Sequence, residues 1–396
     1  MNPVSIIPIF PVLAIGLITI NFMSRVIGIN LAMARYKSID GLRGYLAFFV
    51  FLHHSVIWYY YLRSDQWVVP PSRIYNHFGP ASVSLFFMIT SFLFFSKLLE
   101  YKGSSLDWVK LYVSRFLRIL PLYSFVLSIL FIVVACLTQW KLNEPIAKIA
   151  SECLQWVAFM EPDINRVAGT RLIVAGVVWS LAFEWAFYFS LPFLGVLLFR
   201  IGTSAGTLIF SGILLFIFVI IILEFYPYEA IGRAIPFLGG IAAAMIEKNA
   251  RIRKLSSSVY ASFLVIILLL IVVFYYPSIY SAVPLMCLSL VFFAIACGNT
   301  LFGILSHNVS CLLGQISYSI YLLHGMVLFI MFRFVFDSEH AKEQSPIVHW
   351  ITIAGSCVVL IAVCSLTYRY IERPCLNATT TVVAKLKSNF KAKQLA

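Results

Sequence analysis

Two kinds of chemically capable side chain recur in an otherwise apolar sequence. One is the arginine fork, which matches phosphate oxygens; the other is a pairing of imidazole and carboxylate, which can move a proton. Arg43 belongs to the segment Ser38-Ile39-Asp40-Gly41-Leu42-Arg43-Gly44, and His54 follows it by eleven residues. Eleven residues make about three helical turns, so the two side chains share one face, with His54 roughly 16 Å farther along. His53 points about 100° away and is the weaker candidate. A neutral imidazole at that depth can take a proton from a hydroxyl near neutral pH. Taken alone, a buried histidine serves as often as a hydrogen bond between helices.

The second group is Ser114-Arg115-Phe116-Leu117-Arg118-Ile119-Leu120-Pro121. Arg115 and Arg118 are spaced so that both guanidinium groups can address one ligand. Their forks suit the phosphates of a donor such as a coenzyme A ester. The third group runs from Trp179 to Tyr188 and places Glu184 at nearly the depth of His54. A carboxylate there needs a partner or a proton. It can orient the imidazole, take part in proton transfer or hold helices together. Asp40, Trp179, Tyr188, Tyr321 and His324 are the candidates for lining a substrate pocket. The segments around His324 and at Tyr370-Ile371-Glu372-Arg373-Pro374 read first as packing and capping.

The elements that must position these residues are membrane helices. Of 396 residues, 61% are apolar and 11% charged, and the mean hydropathy is +0.94. These values exclude a soluble globule, a disordered chain and a fibrous repeat. Eleven apolar stretches are predicted to be helical: 5–23, 43–62, 80–98, 119–139, 174–199, 206–223, 231–247, 258–275, 281–298, 313–334 and 348–370. Most are long enough for a hydrocarbon core of about 30 Å. With the N-terminus outside, 20 of the 29 basic residues fall in segments on the inner side, so the C-terminus is expected in the cytoplasm. The net charge of +13 is therefore assigned to topology and not to nucleic acid. The eight cysteines are scattered, with no CxxC and no metal-like spacing. The expected organisation is an N-terminal helix and linker over 1–36, a membrane domain over 37–376 and a basic tail over 377–396. The loop over 140–173 is long enough to form a lid or part of an acceptor site.

Taken in order, these segments resemble the membrane acyltransferase-3 family of integral membrane O-acyltransferases. The matches are IDGLRG with a histidine eleven residues after its arginine, RxxR before IxP, WSLxFExxFY, SYSIYLLH and YIERP. The resemblance implies ten helices beginning at the IDGLRG segment, with the first stretch as an addition. It further implies transfer of an acyl group, most often acetyl, from cytosolic acyl-CoA to a hydroxyl of a surface carbohydrate such as O-antigen, capsule or exopolysaccharide. Acyl-CoA is then a co-substrate, a lipid-linked or surface glycan and membrane lipids are the partners, and the bacterial inner membrane is the location. His54 and Glu184 would be catalytic, and Arg43, Arg115 and Arg118 would bind acyl-CoA. Where members often carry FFxxSGF, this chain has Phe86-Phe87-Met88-Ile89-Thr90-Ser91-Phe92, without the glycine. A close backbone approach is therefore not expected at that point of the helix. The buried ionisable residues also suit a proton-coupled secondary transporter, and a non-catalytic partner of a glycan synthase is a third reading.

Overall fold

The computed structural model describes residues 2–31, 35–226, 230–336 and 338–395. Its helices are α1 (Ile9–Val26), α2 (Lys37–Ser64), α3 (Arg73–Glu100), α4 (Trp108–Leu137), α5 (Ile146–Val157), α6 (Trp179–Phe199), α7 (Ala205–Phe225), α8 (Ala230–Ala234) and α9 (Pro236–Ile246). They continue with α10 (Ala250–Ser256), α11 (Val259–Tyr275), α12 (Ala282–Ala296), α13 (Asn308–Gln315), α14 (Ser317–Ile330), α15 (Ser338–Glu343), α16 (Pro346–Thr367), α17 (Arg373–Asn377) and α18 (Thr379–Leu395). Each of the eleven apolar stretches has a helical counterpart, and there is no strand among the described residues beyond isolated bridges. The protein is an all-α, polytopic integral membrane bundle.

Seven helices are long and apolar enough to cross a membrane, or up to eight if the bent pair Ala230–Ile246 and Ala250–Ser256, which turns by 119°, is one span. That is fewer than the eleven stretches, for physical reasons. Helices α11 and α12 have 17 and 15 residues, short of the roughly 20 needed for a hydrocarbon core of about 30 Å. Helix α2 has 28 residues, but its polar side chains dilute its hydropathy. They are turned inward: from Leu46 to Trp58 every side chain except Phe49 is buried. By contrast, only 17% of the apolar window of α7 is buried, which fits a helix that faces lipid. The stretch 174–199 yields a helix only from Trp179. Ala175 and Gly176 are left-handed, at φ 56° and 57°, and separate it from a 3-10 turn over Thr170–Val174.

Helix α2 packs on α3, α13 and α14. Its glycines explain how closely it can do so. A β-carbon at Gly41 would lie 1.8 Å from the Leu305 carbonyl oxygen, and one at Gly314 of α13 would lie 1.9 Å from that of Asp40. Two backbones are thus in contact, the small-residue packing that membrane helices use where water exerts no drive. Between α3 and α9 the close approach comes from the other partner. A β-carbon at Gly240 of α9 would lie 2.0 Å from the Met88 carbonyl oxygen. The expectation that α3, lacking its glycine, makes no such approach is corrected: the glycine sits on α9.

Candidate active site

Arg43, Lys97, Arg115 and Arg118 gather at one end of the bundle, the basic end, where α2 and α4 begin and α3 closes. Arg43, Arg115 and Arg118 line one cavity of about 100 Å³ there, together with Thr90, Glu184, Tyr188, Ser317, Tyr318 and Tyr321. The four-residue span from Arg115 to Arg118 does turn both guanidinium groups toward a common space. Arg115 lies over the Phe94 ring at 5.1 Å, a contact available to a planar guanidinium.

Each charge in this wall is held by a neighbour. Arg43 Nη1 lies 4.0 Å from Asp40 Oδ1, one turn earlier on α2. Arg118 Nη1 lies 3.7 Å from Glu372 Oε2, and Glu372 is 1% exposed. The other oxygen of Glu372 accepts from Ser319 Oγ, and Thr367 Oγ1 donates to Ser319 at 3.2 Å. Glu372 belongs to a π-helical turn, Tyr368–Glu372, at the end of α16. Such wider turns are common at functional sites. Three of the sequence motifs, RxxR, SYSIYLLH and YIERP, therefore meet in a single cluster of one ion pair and two hydrogen bonds.

Glu184 accepts from Tyr188 Oη at 2.9 Å and from Thr90 Oγ1 at 3.4 Å. A charged side chain at the middle of a membrane helix costs roughly 2.5–3.5 kcal/mol on insertion scales. The bond from Thr90 of α3 is interhelical and offsets about 0.6 kcal/mol, while that from Tyr188 lies within α6. The remainder falls to the arginines of the same cavity wall. Thr90 lies in the segment that departs from the FFxxSGF pattern, and its hydroxyl donates to this carboxylate.

His54 lies outside the cavity. The residue is 8% exposed, and its ring is stacked with Trp67 at 6.1 Å, at an interplanar angle of 20°. His54 Nδ1 lies 3.0 Å from the Val50 carbonyl and 3.0 Å from His324 Nε2. The expected partnership with Glu184 is therefore corrected: His324 is the neighbour of His54, and Glu184 is held by Tyr188 and Thr90. The reason is rotational. Equal depth on two helices does not make two side chains face each other.

The hydrogen-bond network fixes which nitrogens carry protons. His324 Nδ1 faces the Ile320 carbonyl at 3.0 Å and must donate to it. With the ring neutral, His324 Nε2 is then an acceptor. His54 Nδ1 consequently faces two acceptors and carries a hydrogen. That leaves His54 Nε2 with its lone pair, and it makes no hydrogen bond among the described residues. This is the state a general base requires. His53 Nδ1, in contrast, donates to the Tyr75 carbonyl at 2.6 Å.

The cavity and the histidines are adjoining. Tyr321 lines the cavity, lies 2.8 Å from Ser180 Oγ and donates to the Val177 carbonyl at 3.0 Å. Its ring centroid is 6.3 Å from that of His324. Of the pocket candidates, Tyr188 and Tyr321 line the cavity, Asp40 stands behind Arg43, and His324 stands behind Tyr321. Trp179 packs away from it, against Phe87, Phe183 and Tyr226, with Arg233 over its ring at 4.0 Å. Sequence reasoning missed Trp67, the role of Glu372 and the hydrogen bond from Thr90 to Glu184. For Glu372 a signal existed, since a glutamate closing an apolar helix needs a cation.

The loop over 140–173 carries helix α5 and a carboxylate that reaches the start of α6. Glu161 accepts from the Val178 backbone N–H at 2.9 Å. Removal from water pushes its carboxyl up to about 7, against the opposing pull of that amide, Arg171 and Arg233.

No curated protein and no solved structure matched the chain. The acyltransferase-3 family model, described as an acyltransferase domain, matches residues 36–369, from just before the IDGLRG helix to the π-helical turn that holds Glu372. The chain thus belongs to the acyltransferase-3 family, and the charged cavity and histidine pair lie within an acyltransferase domain.

Proposed function

We propose that the protein moves an acyl group, acetyl in the first instance, from acyl-CoA to a hydroxyl of a cell-surface carbohydrate across the bacterial inner membrane. One observation carries the reading: three arginines and Glu184 line a cavity whose wall residue Tyr321 adjoins the His324–His54 pair. In this scheme the basic end faces the cytosol, as the excess of Lys and Arg there favours. Arg115 and Arg118, with Arg43, take the donor's phosphates, for which guanidinium forks are suited. The pantetheine arm then runs along α2 over the three turns from Arg43 to His54.

His54 Nε2 takes the proton of the acceptor hydroxyl as its oxygen bonds to the thioester carbon. The carbon–sulfur bond breaks, and the proton passes to the departing thiolate, giving the ester and free coenzyme A. Tyr321 and Ser180 form the boundary that the acyl group crosses. The acceptor, a lipid-linked or assembled glycan, approaches from the opposite end. To test the reading, labelled acetyl-CoA is supplied to membrane vesicles containing the protein, and label in extracted carbohydrate is measured. Loss of transfer in both His54→Ala and Arg115→Ala is expected. Transfer that persists in both variants removes the mechanism.

A further inference from the structure

His54 has one hydrogen-bond partner that is not on its own helix. His324, on α14, places its Nε2 3.0 Å from His54 Nδ1, with the ring centroids 4.9 Å apart. The other neighbour of that nitrogen, the Val50 carbonyl, stands one turn back on α2, and as a helical carbonyl it already accepts a backbone N–H. His324 is 0% exposed, so its acceptor is not shared with solvent. Nor can His324 be the base itself, because Nδ1 is taken up by the Ile320 carbonyl and Nε2 by His54.

The ring of His324 is held from both sides along its helix. Three residues earlier, Tyr321 Oη donates to the Val177 carbonyl at 3.0 Å. One residue later, a β-carbon at Gly325 would lie 2.3 Å from the Val174 carbonyl carbon. Helix backbone there rests on the backbone of the neighbouring segment, which leaves α14 little room to shift.

We propose that His324 is the positioning residue of the site, fixing both the tautomer and the ring orientation that leave His54 Nε2 as the base. The inference rests on the acyl-transfer reading above. Val50 alone does not fix the ring, since half a turn about Cβ–Cγ replaces Nδ1 by carbon at that carbonyl. The same half-turn leaves His324 Nε2 buried without a donor, which disfavours it. When His54 Nε2 takes the hydroxyl proton, Nδ1 keeps its own and goes on donating to His324. When that proton leaves for the thiolate, the ring is back in its starting tautomer. A neutral acceptor avoids a second charge at this depth. It also stabilises the imidazolium less than a carboxylate would, so the proton is readily given up.

Label transfer from acetyl-CoA in vesicles is measured for His324→Phe, which keeps a ring without an acceptor, and for His324→Gln, whose carboxamide oxygen restores one. In His324→Phe, kcat is expected to fall about tenfold or more while KM for acetyl-CoA stays within about threefold. His324→Gln is expected to recover to within about threefold of the wild type. On a His54→Ala background, His324→Phe is expected to cost nothing further, because it acts through His54. Wild-type kcat in His324→Phe, an equal loss in His324→Gln, or a further tenfold loss on the His54→Ala background overturns the positioning role and leaves the acyl-transfer reading intact. No protein-dependent transfer in the wild type overturns both. Nitrogen NMR of the wild type in lipid, with labelled histidine and the His54 signals identified by their loss in His54→Ala, reads the tautomer directly. A protonated Nδ1 and a bare Nε2 are expected, and the reverse overturns the proposal even where His324→Phe does not fold.

Discussion

Two cavities share helix α2 as a wall, one holding Arg43 and the other, of about 380 Å³ at the opposite end of the bundle, holding Trp58, yet they are held together by opposite means. At the basic end, partners of polar character fix the charges: Asp40 stands by Arg43, Glu372 by Arg118, and the hydroxyls of Tyr188 and Thr90 by Glu184. At the opposite end, rings fix rings: Trp58 stacks on Phe332 at 5.5 Å, and Phe332 on His349 at 5.5 Å. An electrostatic site holds its guanidinium groups taut and selects for anions. A cluster of stacked rings, buried against one another, holds its helices by shape. In the proposed reaction the basic end is the one suited to a phosphorylated donor.

The largest expected effect lies where the two regions meet. His54→Ala is expected to lower the rate of transfer by about 10³-fold, within the range of a lost general base, while KM for acetyl-CoA changes less than threefold. A rise in KM with the rate unchanged would instead place His54 in donor binding. Next comes the basic end. Glu372→Gln leaves Arg118 without its counter-charge, and the loss of one partner from a buried pair destabilises by about 3–5 kcal/mol. A lowered Tm and a KM for acetyl-CoA raised at least tenfold are expected. The double variant Arg118→Met/Glu372→Leu sharpens the point, because it is expected to regain Tm but not donor affinity.

A smaller effect is expected from Thr90→Val, which removes the weaker of the two donors to Glu184. A three- to tenfold fall in transfer rate, with Tm within 2–3 °C of the wild type, corresponds to about 1 kcal/mol. The smallest concerns Glu161. Its folded-state carboxyl keeps its proton up to about 7, whereas an ordinary one loses it near 4.5. Between those values the folded protein binds more protons than the unfolded chain, so stability falls as pH rises. Thermal unfolding followed from pH 4.5 to 7 is expected to show that slope in the wild type and a flatter one in Glu161→Gln.

The basic end was the more legible of the two in the sequence. The spacing of Arg115 and Arg118 and the eleven residues from Arg43 to His54 are properties of one helix, and helical geometry carried them into the structure. Contacts between helices were not legible, because they depend on which faces meet. Thus His324, read as packing, is the partner of His54, and Glu372, read as capping, holds Arg118. Helix ends moved for local reasons: α6 starts at Trp179 because left-handed Ala175 and Gly176 precede it. Trp67 had no signal at all, being one aromatic among 63 in a loop with no period to read.

The backbone contacts of α2, at Gly41 with Leu305 and at Asp40 with Gly314 of α13, have a mechanical consequence. A helix pressed against its neighbour without an intervening side chain has a single register and no slack, so it behaves as a mast, not a rocker. Transporters expose a site to each side in turn by tilting such elements. In the proposed reaction such a post leaves passage between the two faces to the swing of individual side chains.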